Sequence, residues 1–386
     1  MTGKLLHPFS PQGMRDPYPV LAAYRRIAPA YFDRGMKLWL LTGYRECRDA
    51  LRDPAFSAAA GQRQRARDDA LPVSMLTTDG DEHARLRSPA AAAFSARAVA
   101  RLGGDLRAIA DELVDELPAE RQADMVARLA HPFAARVLGR LLCLEPEHWP
   151  ALGALARAAA PNLDPMIRGA AAELARQASA ALHDFLLLHS RRLRTSALAT
   201  DLAGLPVAAD LSESERIGIF SLTVIGGYEP LAVGVASALD LLLDRPEVLD
   251  ELRAHPDAMA GAVDEALRLE SPIPFTARVC VDGYRTDRAE IPAGAVVLAM
   301  VGAANRDPAV FVDPDAFDAR RSPNPHLALG GAAHFCLGAP VVRQATAILL
   351  NTLLERLPGL RRVPGTTATR LDSAVPRGLA SLPITW

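Results

Sequence analysis

Cys336 lies in a glycine-rich loop, "HLALGGAAHFCLGAPVVRQA", that runs directly into a helical pattern. Backbone N–H groups and the positive end of the following helix stabilise a thiolate at such a position. Gly330 and Gly338 flank the cysteine and allow the backbone to approach a flat ligand, and His334 stands two residues before it. Upstream, "DEALRLESPIPFTAR" places Glu265 and Arg268 three residues apart, on one helix face, with Arg278 ten residues further on. By itself such a pair is equally compatible with a surface ion pair. "DGDEHARLR" sets His83 and Arg87 four residues apart, again on one face. The stretch "IGGYEPLAVG" interrupts an apolar run with Gly226, Gly227, Tyr228, Glu229 and Pro230. A carboxylate there is buried and needs a reason, and Pro230 deprives the Gly226 carbonyl of its helical donor.

The elements that must hold these residues are mostly helical. Ser212 and Glu215 fit a capping box ahead of a helix that continues to about Arg245, where Pro246 starts another. Some 30 residues of helix span roughly 45 Å, the width of a whole domain. Pro230 is expected to open this helix, with water at the gap. "PDAMAGAVDEALRLES" and the stretch from Pro340 to Leu357 read as further helices, as does "YRECRDALRD", ended by Pro54. Between Glu82 and Leu193 the period is helical, with Pro132, Pro146, Pro150, Pro161 and Pro165 as breaks. "KLWLLTGY", "RVCVDGYRT" and "AEIPAGAVVLAMV" read as short strands. The fold class is mainly α with a minor β part, and residues 1–386 are taken as a single large domain.

Composition bounds the function. Half of the 386 residues are hydrophobic and 23% are charged, as in ordinary globular enzymes. A formal net charge of -2 gives no reason to expect nucleic acid or an anionic membrane as partner. Four scattered cysteines make neither a zinc pattern nor a disulfide framework, which points to a reducing cytoplasm. The N-terminus has no apolar signal core. Ile217 to Leu239 carries one charge, Glu229, and satisfies the hydropathy of a membrane span. The mid-span acid beside a proline favours instead the central helix of a soluble protein.

The order of HxxxR, glycine-interrupted acidic helix, ExxR, "NRDP" and an HxCxG loop resembles a bacterial cytochrome P-450, a haem-thiolate monooxygenase. "DPYPVLAAYRRIAP" and "RGLASLPITW" are similar to the family's opening and close, so the resemblance covers nearly the whole chain. It implies haem b as cofactor, with Cys336 as axial iron ligand. It implies that His83, Arg87, Arg278 and His334 hold the two propionates. Glu265 and Arg268 become a buried structural pair behind the haem, and Gly226, Gly227 and Glu229 lie on its distal side. It further implies a small-molecule substrate, a ferredoxin with its ferredoxin reductase as electron donors, and a monomeric cytoplasmic enzyme of bacterial secondary metabolism. Arg320, Arg321 and Arg343 are expected to face the acidic redox partner. Leu71 to Thr78, Ile219 to Gly227, Ile273 to Thr276 and Leu379 are expected to line the substrate pocket.

The departures are specific. Leu329 stands where the family usually has phenylalanine, Ala332 where it has glycine, and Val342-Arg343-Gln344-Ala345 where "ARLE" is common. Most members carry threonine after the distal acid, and its hydroxyl helps deliver protons. Pro230 cannot. Two outcomes are open: substrate-assisted proton delivery in a monooxygenase, or a reaction such as coupling, rearrangement, desaturation or peroxide-driven oxidation. A haem-free binding module is disfavoured by the presence of Cys336, Glu265, Arg268 and the propionate set.

Overall fold

The computed structural model describes residues 6–60, 74–164, 166–193, 211–286 and 288–386. The helices that carry the site are α1 (Gly80–Ala93), α2 (His131–Leu141), α3 (Trp149–Ala159), α4 (Gly169–Leu193), α5 (Glu213–Leu243), α6 (Met259–Leu269) and α7 (Ala339–Arg356). The capping box at the head of α5 forms in both directions. Ser212 Oγ accepts from the Glu215 N–H at 3.2 Å, and Glu215 Oε2 accepts from the Ser212 N–H at 2.8 Å.

Helix α5 packs on α2, α3, α4, α6 and α7. Its apolar residues are therefore buried on several sides at once, which is why no polar face shows in its sequence. The same burial accounts for its membrane-like hydropathy. The expected opening at Pro230 is not seen as a break: α5 runs uninterrupted from Glu213 to Leu243. What proline removes is one donor, because its nitrogen carries no hydrogen for the Gly226 carbonyl. A row one turn apart, Leu222, Gly226 and Pro230, is the accessible strip of this mid-helix segment, while Tyr228 and Glu229 point into protein.

Pro132 does not break the chain either. It lies in the first turn of α2, where no intrahelical donor is required, and α2 continues directly from a π-helical turn, Val126–Ala130. Pro146, Pro150 and Pro161 likewise occupy first turns, and Pro165 lies outside the described residues.

The main sheet contains β1 (Ala30–Asp33), β2 (Leu38–Leu41), β3 (Phe56–Ser57), β4 (Thr276–Cys280) and β5 (Val296–Ala299) in the order β1-β2-β5-β4-β3. Only β2 and β5 are parallel; β4 pairs with β5 in the register Thr276↔Ala299 to Val279↔Val296. A separate three-stranded sheet joins Gln122–Asp124 and Arg361–Arg362 to the C-terminal Pro383–Thr385. All four cysteines are free thiols.

Candidate active site

The cysteine loop is built from backbone. Gly330 and Ala332 have φ of +74° and +50°, and a turn of 3-10 helix spans Ala332–His334. The Cys336 N–H then donates to the Leu329 carbonyl at 2.7 Å, closing the loop just before α7. Leu329 is thus bound to the cysteine through its backbone, and its side chain joins the main apolar core. Burial pushes the Cys336 thiol up. The Gly338 and Ala339 N–H groups, with the charges of Arg87 and Arg343, pull it back.

Four residues expected to share a task do come together. The His83 and His334 rings meet at a tilt of 47° with centroids 4.3 Å apart, and Arg87 donates to the carbonyl of Phe335. Arg278, on β4, is 7% exposed and bonds only locally, to Thr276 Oγ1 at 3.0 Å and the Ala277 carbonyl at 2.8 Å. Burial lowers the Arg278 guanidinium to about 10, although Asp79 acts to raise it. Burial also lowers the His83 imidazole to about 4, helped by His334 and Arg87. His83 Nε2 is buried without a partner among the described residues. Asp79, which the sequence reading passed over, accepts from Ser57, Ala59 and His334, the last at 3.0 Å. It sits four residues before His83, so helical spacing alone would have flagged it.

The Glu265–Arg268 pair is not on the surface. Both side chains are fully buried, 0% exposed, and joined by two bonds of 2.7 and 2.8 Å. The remaining guanidinium hydrogens go to the carbonyls of Asn305, Pro314 and Ala316. Arg321 adds a second cation, its Nε 3.1 Å from Glu265 Oε1, and donates to Val312 O. Arg321 is therefore an interior residue and not the docking arginine expected of it. Arg320 pairs with Glu251 and Arg343 with Asp264.

On α5, a methyl group added at Gly226 would meet only Leu222 of the same helix, at 3.8 Å. At Gly227 it would meet Leu138 at 3.1 Å, so this glycine sets the approach of α2 instead. Glu229 is 5% exposed, and burial holds its carboxyl above the usual range. The expected pocket lining is only partly accessible. Pro274 and Phe275 line a crevice against the N-terminal segment, with Phe275 edge-on to Phe9 at 5.2 Å, and Leu379 is packed in the core. Residues 71–73 lie outside those described.

The arrangement suits a flat group bearing two carboxylates. Arg87, Arg278 and His83 Nε2, which has no partner among the described residues, form a cationic, donor-rich rim, and Asp79 is the acid the described residues bring to it. Gly226 presents bare backbone to open space, and Cys336 offers a sulfur at a helix N-terminus.

A family model described as Cytochrome P450 matches residues 208–358. Mycinamicin IV hydroxylase/epoxidase of Micromonospora griseorubida is 35% identical over 375 residues, covering 94% of this chain and 92% of its own. Biflaviolin synthase of Streptomyces coelicolor is 35% identical over 361 residues, covering 90% of this chain and 87% of its own. The crystal structure of CalO2 has a TM-score of 0.90 at 28% identity, covering 100% of this chain and 99% of that one. Sequence along most of its length, the mainly α fold and the cysteine loop at the head of α7 agree: this chain belongs to the cytochrome P450 family of haem b oxidoreductases.

Proposed function

We propose that the chain is a haem-thiolate monooxygenase of bacterial secondary metabolism, acting on a small or medium organic substrate with electrons from a ferredoxin and its reductase. Bound haem supplies the oxidation of otherwise unreactive bonds by O2. Cys336 would hold the iron through Sγ as a thiolate, the form that burial of the free thiol disfavours. The N–H groups of Gly338 and Ala339 and the charge of Arg87 stabilise that thiolate. Arg87, Arg278, His83 and His334 bind the two propionates by charge-assisted bonds, which lifts the cost of burying Arg278. Glu265, Arg268 and Arg321 fix the segment from Asn305 to Asn324 that leads into the cysteine loop. Gly330 and Gly338 shape that loop. Gly226 leaves room for the ligand plane, and Gly227 seats the helix on α2. Glu229 faces away from the accessible strip, so proton delivery to the distal side falls to a polar group of the substrate, aided by Glu229 and by water at the Gly226 carbonyl, because Pro230 has no hydroxyl. The enzyme works as a cytosolic monomer.

The observation that carries this reading is Cys336 at the start of α7 beside a rim holding Arg87, Arg278, His83 and His334. The ferrous protein with carbon monoxide is expected to show the red-shifted Soret band of a thiolate haem, and Cys336→Ser to abolish it. A normal band in the variant, or no shift in the wild type, refutes Cys336 as ligand.

A second reading is favoured by Pro230 and by one relative being named a synthase rather than a hydroxylase. The same site would then couple, rearrange or desaturate its substrate, or use peroxide. Labelling with isotopic oxygen decides between them: label in the product supports monooxygenation.

A further inference from the structure

Behind α5, away from its accessible strip, two buried ionisable side chains face each other with unfilled hydrogen-bonding capacity. Glu229 Oε2 and His131 Nδ1 are 4.0 Å apart, and neither has a hydrogen-bond partner among the described residues. Glu229 is 5% exposed and His131 7%. The imidazole is held in place by the Tyr228 ring, stacked at 5.7 Å and 21°. Tyr228 in turn sits against Gly153 of α3, where an added methyl would fall 3.4 Å from its ring. Two bare polar atoms at this depth are costly unless they serve each other.

We propose that His131 and Glu229 form one acid–base unit holding a single shared proton, and that His131 thereby positions Glu229 as a proton source held behind α5 for the distal side. The second clause rests on the monooxygenase reading above. The transfer is redox-neutral. The O–H bond of the Glu229 carboxyl breaks as an N–H bond forms at His131 Nδ1, giving carboxylate and imidazolium, and the reverse step restores the acid. A small rotation of Glu229 or one bridging water spans the 4.0 Å. Both forms hold one proton, so the transfer itself leaves the interior charge unchanged, and a proton passed on from the pair is replaced from solvent.

The surroundings favour one proton over two or none. Burial raises the Glu229 carboxyl and lowers the His131 ring to about 4, so each group favours its neutral form. Arg157 of α3, exposed at the surface, opposes a second positive charge and eases ionisation of Glu229. Asp124 acts in the opposite direction on His131, and its carboxylate is committed to the N–H groups of Val126 and Leu382. Tyr228, pushed up to about 12 by burial, stays out of the titration.

The experiment uses the haem-loaded enzyme with 15N-labelled histidine, in the diamagnetic ferrous carbon monoxide form. His131 is assigned by its absence in His131→Gln. Its ring shifts are followed against pH in wild type and Glu229→Gln, with the Soret band as a check on folding. A coupled pair gives two inflections in the wild type, separated by more than roughly one pH unit, and the upper one disappears in Glu229→Gln. The alkaline limb of product formed per NAD(P)H consumed then moves in His131→Gln while KM does not. A single His131 inflection in the wild type, or the same curve in Glu229→Gln, overturns the unit without any variant needing to be active. Two inflections with an unmoved coupling profile overturn the donor role. Neither result touches the haem-thiolate assignment, which stands on the carbon monoxide spectrum.

Discussion

Arg268→Ala tests the burial argument most directly. Arg268 uses all five guanidinium hydrogens: two on Glu265 and one each on the carbonyls of Asn305, Pro314 and Ala316. Truncation strips three buried carbonyls of a donor and takes one of two cations from Glu265. Because Arg321 stays at 3.1 Å, the carboxylate is not left alone. A broken buried pair costs about 3–5 kcal/mol. Against a total stability of about 5–15 kcal/mol, that is between a fifth and all of it. The assay is haem bound per polypeptide together with the urea midpoint. Arg268→Ala is expected to lose most of its haem, and Arg268→Lys to lie between it and wild type, since one ammonium cannot reach five acceptors. Glu265→Gln is expected to be comparably damaging, and the double variant to cost less than the sum. A pH arm adds a sign. Burial would raise the Glu265 carboxyl, but bonds from Arg268, Asp318 and Arg321 hold it below its ordinary value of 4.5. Its contribution is therefore complete above pH 4.5 and is lost as the pH falls below it. Full haem content and an unfolding free energy within about 0.5 kcal/mol of wild type in Arg268→Ala would refute the reasoning.

Ala332→Gly is expected to stabilise the protein by about 1 kcal/mol, because an L side chain at positive φ is strained and glycine is not; urea unfolding of the two proteins measures it. The His131 ring, lowered from 6.5 to about 4 chiefly by burial, withholds a proton that the unfolded chain accepts, so its contribution is present above pH 6.5 and lost towards pH 4. The stability gap between wild type and His131→Gln should accordingly shift by about 3 kcal/mol against the wild type between pH 7 and 4, read from unfolding at each pH. Pro230→Thr is expected to raise product formed per NAD(P)H for apolar substrates, while Pro230→Ala, which restores the N–H but no hydroxyl, does not; tight coupling of apolar and polar substrates alike in the wild type would contradict this.

The parts of the site legible in the sequence are those whose signal is local. The cysteine loop, the capping box of α5 and the i, i+3 pair of α6 each lie within one turn or one loop, and spacing alone places them. Arg321 was misread because its partner, Glu265, is 56 residues away across a fold contact. His131 went unremarked for the same reason: it meets Glu229 only because α2 packs on α5 through Gly227. Strand Gln122–Asp124 was absorbed into a helical reading because three residues carry no period, and its partner is the C-terminus. Pro274, Phe275 and Leu379 are apolar, but apolarity does not tell a pocket wall from a core. Prolines were read as breaks where they occupy first helical turns.

Pro230 is the residue at which these levels meet. The helix tolerates it, so its cost falls on one atom, the Gly226 carbonyl, and Gly226 faces open space rather than a packed neighbour. A threonine would bring both a backbone N–H for that carbonyl and a hydroxyl able to donate and accept. Proline leaves a bare acceptor on the accessible strip, one turn from Leu222, with Glu229 directed to the other side. A bare acceptor selects for a donor. An O–H or N–H on the substrate satisfies it at no cost to the helix, whereas a purely apolar substrate buries it unpaired, at about 1–3 kcal/mol. Pro230 is thus expected to favour substrates that carry an O–H or N–H near Gly226, which the coupling of matched polar and apolar substrates measures.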